Sequence, residues 1–190
     1  MQCPQWKNLS DKEIGYLAGL FVGDGYANYN KKDRHYNVEF YLHSSRDQDI
    51  QIYLSSILKK AKLHLTIFKD PRYKVNRVKI SSRIFLYFIR EQVQKFKIKH
   101  RFNKEFLLGV VSGFIDAEGC VKKGSIHIAQ KDGRTIQKIQ EMCHKMRVNC
   151  NIRKTKNTPK GFIWRGIIST RFKYLPHNSR KVGRIYGCFP

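Results

Sequence analysis

Residues 13–25 read EIGYLAGLFVGDG, and 94 positions later residues 107–119 read LLGVVSGFIDAEG. Gly15, Gly19 and Gly23 stand four apart in the first copy, and Gly109, Gly113 and Ala117 hold the same places in the second. Four-residue spacing keeps positions on one face of a helix. A face of glycine and alanine has no bulk to bury, so it suits a place where a second backbone comes very close. Each helical glycine costs about 1 kcal/mol relative to alanine. Repeating that cost in both copies predicts two helices packed face to face along these positions. Each copy then ends on a carboxylate, Asp24-Gly25 and Glu118-Gly119, which such packing delivers to one end of the contact. There the acids meet the negative ends of two helix dipoles and each other. A positive partner is called for, and a hard divalent cation with oxygen ligands is the natural one. Solvent-facing acids on two amphipathic helices would explain one copy; the in-register pair argues for chemistry.

The chain of 190 residues carries 38 Lys and Arg against 14 Asp and Glu, a net charge of +24. Such an excess favours a polyanionic partner. A ribosomal or chromatin role would account for the charge but not for the paired acids, and a glycosidase use of those acids fits poorly with so basic a chain. The internal repeat predicts two halves of about 90 residues, each small enough to depend on a shared core. Five cysteines, Cys3, Cys120, Cys143, Cys150 and Cys188, include no C-x-x-C pair. They read as reduced thiols rather than zinc ligands or a disulfide framework. No apolar run approaches membrane-spanning length, and the start of the chain lacks the layout of a secretion signal. The expectation is a soluble, intracellular protein of a prokaryotic cytoplasm or an organelle.

LAGLFVGDG and VSGFIDAEG resemble the two signature motifs of the LAGLIDADG homing endonucleases, in the single-chain form with both motifs. The resemblance runs from about Leu9 to Leu175. It implies an α/β (α+β) fold of two pseudo-twofold-related αββαββα halves, joined through the motif helices, with curved antiparallel sheets that lie in the DNA major groove. It also implies that Asp24 and Glu118 bind catalytic Mg²⁺, for which Mn²⁺ would substitute, with the backbone carbonyls of Gly23 and Ala117 as further ligands.

Taken in order, residues 1–9 read as an irregular arm, and Ser10 with Glu13 forms a capping box that starts the first motif helix. Residues 26–42 read as a hairpin with Val38, Phe40 and Leu42 inward. Residues 46–60 carry Ile50, Leu54, Ile57 and Leu58 at helical spacing. Two strands, 63–68 and 73–80, turn at Asp70-Pro71, and a helix over 84–93 closes a first half of residues 1–94. The basic run KFKIKHRFN, residues 95–103, reads as a linker that either touches phosphate or is simply solvated. A second half, 104–190, repeats the order. Asn103 caps its motif helix, a hairpin spans 121–130, a helix 134–146, and strands 150–153 and 162–168 flank a basic loop at 154–161. Pro176, Asn178 and Gly183 limit any terminal helix to about 171–175.

Around the acids, the resemblance implies a polar and a basic residue at the exit of the inner strand. Gln130 and Lys131 fit in the second half. In the first half, alignment of Leu42 with Ile128 sets Ser44 at the Gln130 position with Arg46 as the basic substitute, so the two sites should be unequal. Arg83 and Arg171 follow the last strands in register, and each could clamp a phosphoryl oxygen or touch an ordinary backbone phosphate. The outward strand positions expected to meet DNA are Asn28, Asn30, Arg34, Asn37, Glu39, Tyr41, Arg72, Lys74, Asn76, Arg77 and Lys79, then Lys123, Ser125, His127, Arg153, Lys156, Trp164 and Arg165. Two-stranded ribbons fit a major groove, where Arg, Lys and Asn read base edges.

The reading is a monomeric, metal-dependent endonuclease, encoded in an intron or an intein, that makes double-strand breaks in an asymmetric duplex site of about two helical turns. The alternative is a maturase of the same fold that binds intron RNA. A DNA-binding regulator with silent sites is a third, more distant one.

Overall fold

The computed structural model describes residues 5–30, 32, 35–70, 72–97, 102–122, 125–157 and 161–169. A 3₁₀ turn (Trp6–Asn8) leads into α1 (Asp11–Asp24), β1 (Gly25–Asn30), β2 (His35–His43), α2 (Gln48–Lys60), β3 (Thr66–Asp70), β4 (Val75–Ser81) and α3 (Arg83–Lys97). The order then repeats as α4 (Lys104–Glu118), β5 (Gly119–Lys122), β6 (Ser125–Gln130), α5 (Gly133–Lys145), β7 (Cys150–Asn157) and β8 (Gly161–Ile168). Two four-stranded antiparallel sheets result, ordered β1-β2-β4-β3 and β5-β6-β8-β7. This is the mixed α/β architecture of two like halves.

The helix starts follow from local chemistry. Ser10 Oγ accepts from the Glu13 N–H while Glu13 Oε2 accepts from the Ser10 N–H, which satisfies two otherwise orphaned donors. Asn103 Oδ1 accepts from the Phe106 N–H, and its amide donates to Asp11, so the cap of α4 also ties it to the first turn of α1. Lys60 Nζ donates to Glu13 at 2.5 Å. Burial opposes the charge on Glu13, but Lys60 and Ser10 outweigh it and hold the carboxyl below its usual range.

Alternate strand residues turn inward. Val38, Phe40 and Leu42 pack with Ile50, Leu54, Ile57 and Leu58 of α2 in one core; Ile126, Ile128 and Ile168 pack with Ile136 and Ile139 of α5 in the other. The halves therefore keep two cores, joined through the motif helices: Ala18 of α1 belongs to the second core, and Ile14 packs against both.

Three expectations are corrected. Residues 6–8 are not an irregular arm: Trp6 stacks on Phe88 with centroids 4.0 Å apart, and the Gln5 N–H donates to the Ala61 carbonyl. α3 runs through Lys97, and Phe96 is buried in the second core, so the run at 95–103 begins as helix. β7 continues to Asn157, so residues 154–157 extend a strand instead of forming a loop. The expected terminal helix at 171–175 lies outside the described residues.

Candidate active site and nucleic-acid face

The small-residue faces of α1 and α4 meet as their spacing requires. A Cβ on Gly15 would overlap the Phe106 carbonyl oxygen, one on Gly19 the Val110 carbonyl oxygen, and one on Gly113 the Tyr16 carbonyl oxygen. Only glycine admits so close a backbone. At the far end, a Cβ on Gly23 would overlap that of Ala117 and lie 3.1 Å from Glu118 Cγ. The helix ends that carry Asp24 and Glu118 therefore meet, and both acids are partly exposed.

Glu118 is oriented from its own sheet. Gln130 Nε2 donates to Glu118 Oε1 at 3.0 Å, and the Lys131 N–H donates to Gln130 Oε1 at 2.9 Å. The backbone donor fixes which end of the amide is oxygen, so the nitrogen must face the carboxylate. The Lys131 side chain is exposed beside this pair.

A second polar contact lies deeper in the interface. Tyr16 Oη donates to Asp116 Oδ2 at 2.9 Å, and both residues are buried. Burial, then the Asp116 charge, pushes the Tyr16 hydroxyl well above its usual range. Tyr53 meets Tyr16 edge-on at 4.8 Å, and burial followed by Glu13 and Asp116 pushes its hydroxyl up to about 12. Sequence reading missed this contact. Its signal was an acid inside an apolar helix at Asp116, where the first copy has Val22.

The first half does not place polar residues as expected. Gly25 pairs with Phe40 where Gly119 pairs with Ile128, so Leu42, not Ser44, corresponds to Gln130. Ser44 and Arg46 sit in the turn before α2, where the Ser44 N–H donates to the Lys74 carbonyl at 2.8 Å and the Arg46 N–H to His43 Nδ1 at 3.2 Å. Arg83 is carried away from the acids. Its guanidinium lies 5.7 Å from the rings of Tyr36 and Tyr87. Tyr36 pairs with Tyr29, five residues along β1 from Asp24, or about 16 Å at the usual rise. Arg171 lies outside the described residues.

Most expected groove-facing residues share the outer faces of the sheets. Asn28, Asn30, Asn37, Tyr41, Arg77 and Lys79 alternate with the buried positions of the first sheet, and Ser125, His127, Arg153 and Arg165 with those of the second. Arg72 and Lys74 are exposed at the β3–β4 turn. Glu39 is on this face but only 7% exposed: Tyr41 Oη donates to it at 2.8 Å and Arg77 approaches at 3.8 Å. Two residues have the opposite phase. Asn76 is buried toward α2, where its amide donates to Gln51 Oε1 at 2.8 Å. Trp164 turns toward α5, where a Cβ on Gly133 would run into its indole. Arg34 and Lys123, and the Lys156 side chain, lie outside what the structure describes. A depression of about 600 Å³ on the first sheet is lined by Tyr41, Phe68, Asp70, Arg72, Tyr73 and Arg77. The Arg77 guanidinium stands 4.9 Å over the Phe68 ring. Sequence reading passed over Phe68 and Tyr73, which are 43% and 71% exposed.

Residues 105–174 match a LAGLIDADG-like domain model, and residues 14–106 match the WhiA LAGLIDADG-like domain model. The chain is a two-motif member of the LAGLIDADG family. It is 26% identical over 144 residues to the uncharacterized protein MJ0398 of Methanocaldococcus jannaschii, covering 74% of this chain and 51% of that one. The chain thus spans about half the length of this curated relative. The fold is shared with the homing endonuclease I-DmoI in complex with DNA and Mn, at a TM-score of 0.68 and 20% identity over 85% of this chain and 91% of that one. It is also shared with the N-terminal LAGLIDADG domain of DUF199/WhiA, at a TM-score of 0.56 and 14% identity over 85% of this chain and 77% of that one. Among the described residues, no helix is long and apolar enough to cross a membrane.

Proposed function

We propose that this chain is a site-specific homing endonuclease that binds duplex DNA as a monomer along the outer faces of both sheets and hydrolyses a phosphodiester in each strand. The observation that carries the reading is the meeting of the Asp24 and Glu118 helix ends, with Gln130 donating to Glu118. Structures of I-DmoI that contain DNA with Mn, Ca or Mg support the same chemistry here.

The donor set suits a hard divalent cation. Asp24 and Glu118 offer carboxylate oxygens, and the last carbonyls of a helix, here including Gly23 and Ala117, lack intrahelical donors. Among the described residues no cluster of three or more His, Cys, Asp or Glu could hold a metal alone, so water and DNA phosphate would complete the shell. When bound, Mg²⁺ or Mn²⁺ would supply a nucleophilic water and neutralise charge on the phosphoryl group.

The chain's own residues do the rest. Gln130 holds the carboxylate of Glu118 in one orientation, and the exposed Lys131 can reach a phosphoryl oxygen. Hydrolysis is balanced at each strand: the water oxygen bonds to phosphorus, one bond from phosphorus to a deoxyribose oxygen breaks, and the leaving oxygen gains a proton as water loses one. Differing outward residues on the two sheets imply an asymmetric target, and each sheet spans several base pairs, which suggests about two helical turns overall.

The test begins with a target selected by binding from a randomised duplex pool in Ca²⁺ and cloned into supercoiled plasmid. Linear product with Mg²⁺, and none with EDTA, is expected. Binding without cleavage in Mg²⁺ or Mn²⁺ would leave a silent DNA-binding member of the fold, and preference for a structured intron transcript over every duplex would favour the maturase.

A further inference from the structure

The outer face of the first sheet carries groups that a surface built only to hold phosphate would avoid, namely carboxylates. In the cross-strand row of Tyr41, Arg77 and Phe68, the Arg77 guanidinium stands 4.9 Å over the Phe68 ring, and Glu39 Oε2 lies 3.8 Å from Arg77 Nη1. Tyr41 Oη donates to the same carboxylate at 2.8 Å. The arrangement recurs at the β3–β4 turn, where Arg72 Nε and Nη2 donate to the two oxygens of Asp70, each at 3.2 Å, and the guanidinium lies 5.5 Å over the Tyr73 ring. Both arginines and both rings line the one depression.

A carboxylate beside an arginine weakens its pull on phosphate and costs affinity for a polyanion. What it supplies is direction. Arg77, with an acid at its side and an aromatic face beneath it, has its planar fork aimed before DNA arrives, which suits paired donation to O6 and N7 of guanine. The 3.8 Å separation from Glu39 is longer than a hydrogen bond, so the fork is not spent on that acid. Arg72, by contrast, has its fork closed on Asp70. Beside Arg77 the Phe68 ring is exposed and has no polar group to offer. The apolar feature that a base edge presents in the major groove is the 5-methyl of thymine.

We propose that Phe68 is a specificity-determining residue: it packs on the 5-methyl group of a thymine next to a guanine read by Arg77, so that recognition of one half of the target depends on a single pyrimidine methyl. This rests on the duplex-binding part of the proposed function and deepens it. β3 is the strand farthest in its sheet from β1, which follows Asp24 directly. Phe68 therefore acts on target choice and not on the breaking bond.

The experiment uses the full chain and the target selected by binding in Ca²⁺. Each thymine is replaced in turn by deoxyuridine, which removes only the methyl, and each guanine by 7-deazaguanine, which removes N7. One thymine replacement should weaken binding about fourfold, the worth of one buried methyl. Replacement of the guanine beside it should weaken binding at least about fivefold. Phe68→Ala should bind the thymine and deoxyuridine forms of that position equally, yet stay sensitive to the guanine replacement because Glu39 still holds Arg77. Phe68→Leu keeps an apolar side chain and should keep most of the discrimination. Phe68→Gln, polar and of similar reach, repeats the test if melting shows the alanine variant unfolded. Absence of any methyl-sensitive thymine beside a sensitive guanine would overturn the inference, and so would a methyl effect that survives unchanged in Phe68→Ala. Recovery of no bound duplex from the randomised pool would overturn the duplex-binding reading itself, and this inference with it.

Discussion

The contact between α1 and α4 is nearly the same from either side, whereas the polar surroundings of the acids it brings together are not. Gly15 and Gly19 lie against the carbonyls of Phe106 and Val110, and Gly109 and Gly113 return the arrangement against those of Lys12 and Tyr16. A few ångströms beyond the helix ends, Gln130 stands in one half and Leu42 in the other. The difference separates what folding demands from what chemistry demands. Two backbones in contact tolerate only hydrogen at Cα, so both copies keep it. Leu42 is packed into the core of its half, whereas Gln130 is half-buried and spends its amide on Glu118, so the two positions share a register but not an environment.

The strongest way to break the symmetric part of this comparison is to add bulk at the helix contact. Gly19→Leu and Gly113→Leu each push a side chain into a carbonyl oxygen of the opposite helix, and neither backbone can yield without parting the two cores. Each should destabilise by about 3 kcal/mol or more, at the upper end for overpacked sites. Urea unfolding of both variants is the measurement. Tolerance of one but not the other would show that the two sides of the contact are not equivalent.

The acids come next. Asp24→Asn or Glu118→Gln should remove linearisation of the target plasmid while leaving DNA binding intact, since the amides keep the size and lose the charge that holds a cation. Relief of acid repulsion at two helix ends should also stabilise the metal-free protein by about 0.3–1 kcal/mol. Full linearisation by the doubly substituted chain would remove both acids from the mechanism.

Much of this was legible from the residues alone. The glycine spacing announced the helix contact, Ser10 and Glu13 announced the first cap, and alternation placed Val38, Phe40 and Leu42 inward. The failures have local causes. Strand phase at Asn76 and Trp164 was read from polarity, but Asn76 bonds Gln51 and the Trp164 ring lies against Gly133, neither visible without the helices in place. Leu42 was aligned with Ile128 because both are apolar; only the pairing of each hairpin with its motif glycine corrects the register by two. Two residues past the ends of α2 and α5, just after the caps Ala61 and Met146, Lys62 and Arg147 adopt left-handed backbone, φ 55° and 59°, where a glycine would have signalled the stop.

The outer faces differ as well. Arg77 is restrained by Glu39 and Phe68, while Arg153 and Arg165 face each other across the β7–β8 register. Arg165→Ala should weaken binding and reduce the salt slope by about 1 if the residue meets phosphate, or relax one base position at a cost of about 1–3 kcal/mol if it reads a base. Glu39→Gln releases Arg77 and should steepen the salt slope. Affinity measured across a salt series for both variants distinguishes the sheets, and identical slopes for all three proteins would mean that neither arginine reaches DNA.

The smallest expected effect concerns a charge that only the first half keeps. Glu13 of the first motif corresponds to Leu107 of the second, 94 positions on, and Lys60 at the end of α2 corresponds to Lys145 at the end of α5. Glu13 is 7% exposed and held by Ser10 and by Lys60, whose side chain is 56% exposed. So open a lysine limits the pair to about 0.2–1 kcal/mol. Its pH dependence has a definite sign. The folded carboxyl titrates below the ordinary 4.5, so its contribution is complete above that value and is lost as pH falls through the lower folded value. Glu13→Gln should therefore cost a fraction of a kilocalorie near neutrality and nothing at the acid end, and the two unfolding curves should converge below pH 4.5. A gap that stayed constant with pH would assign the loss to side-chain packing at the helix start and not to the charge.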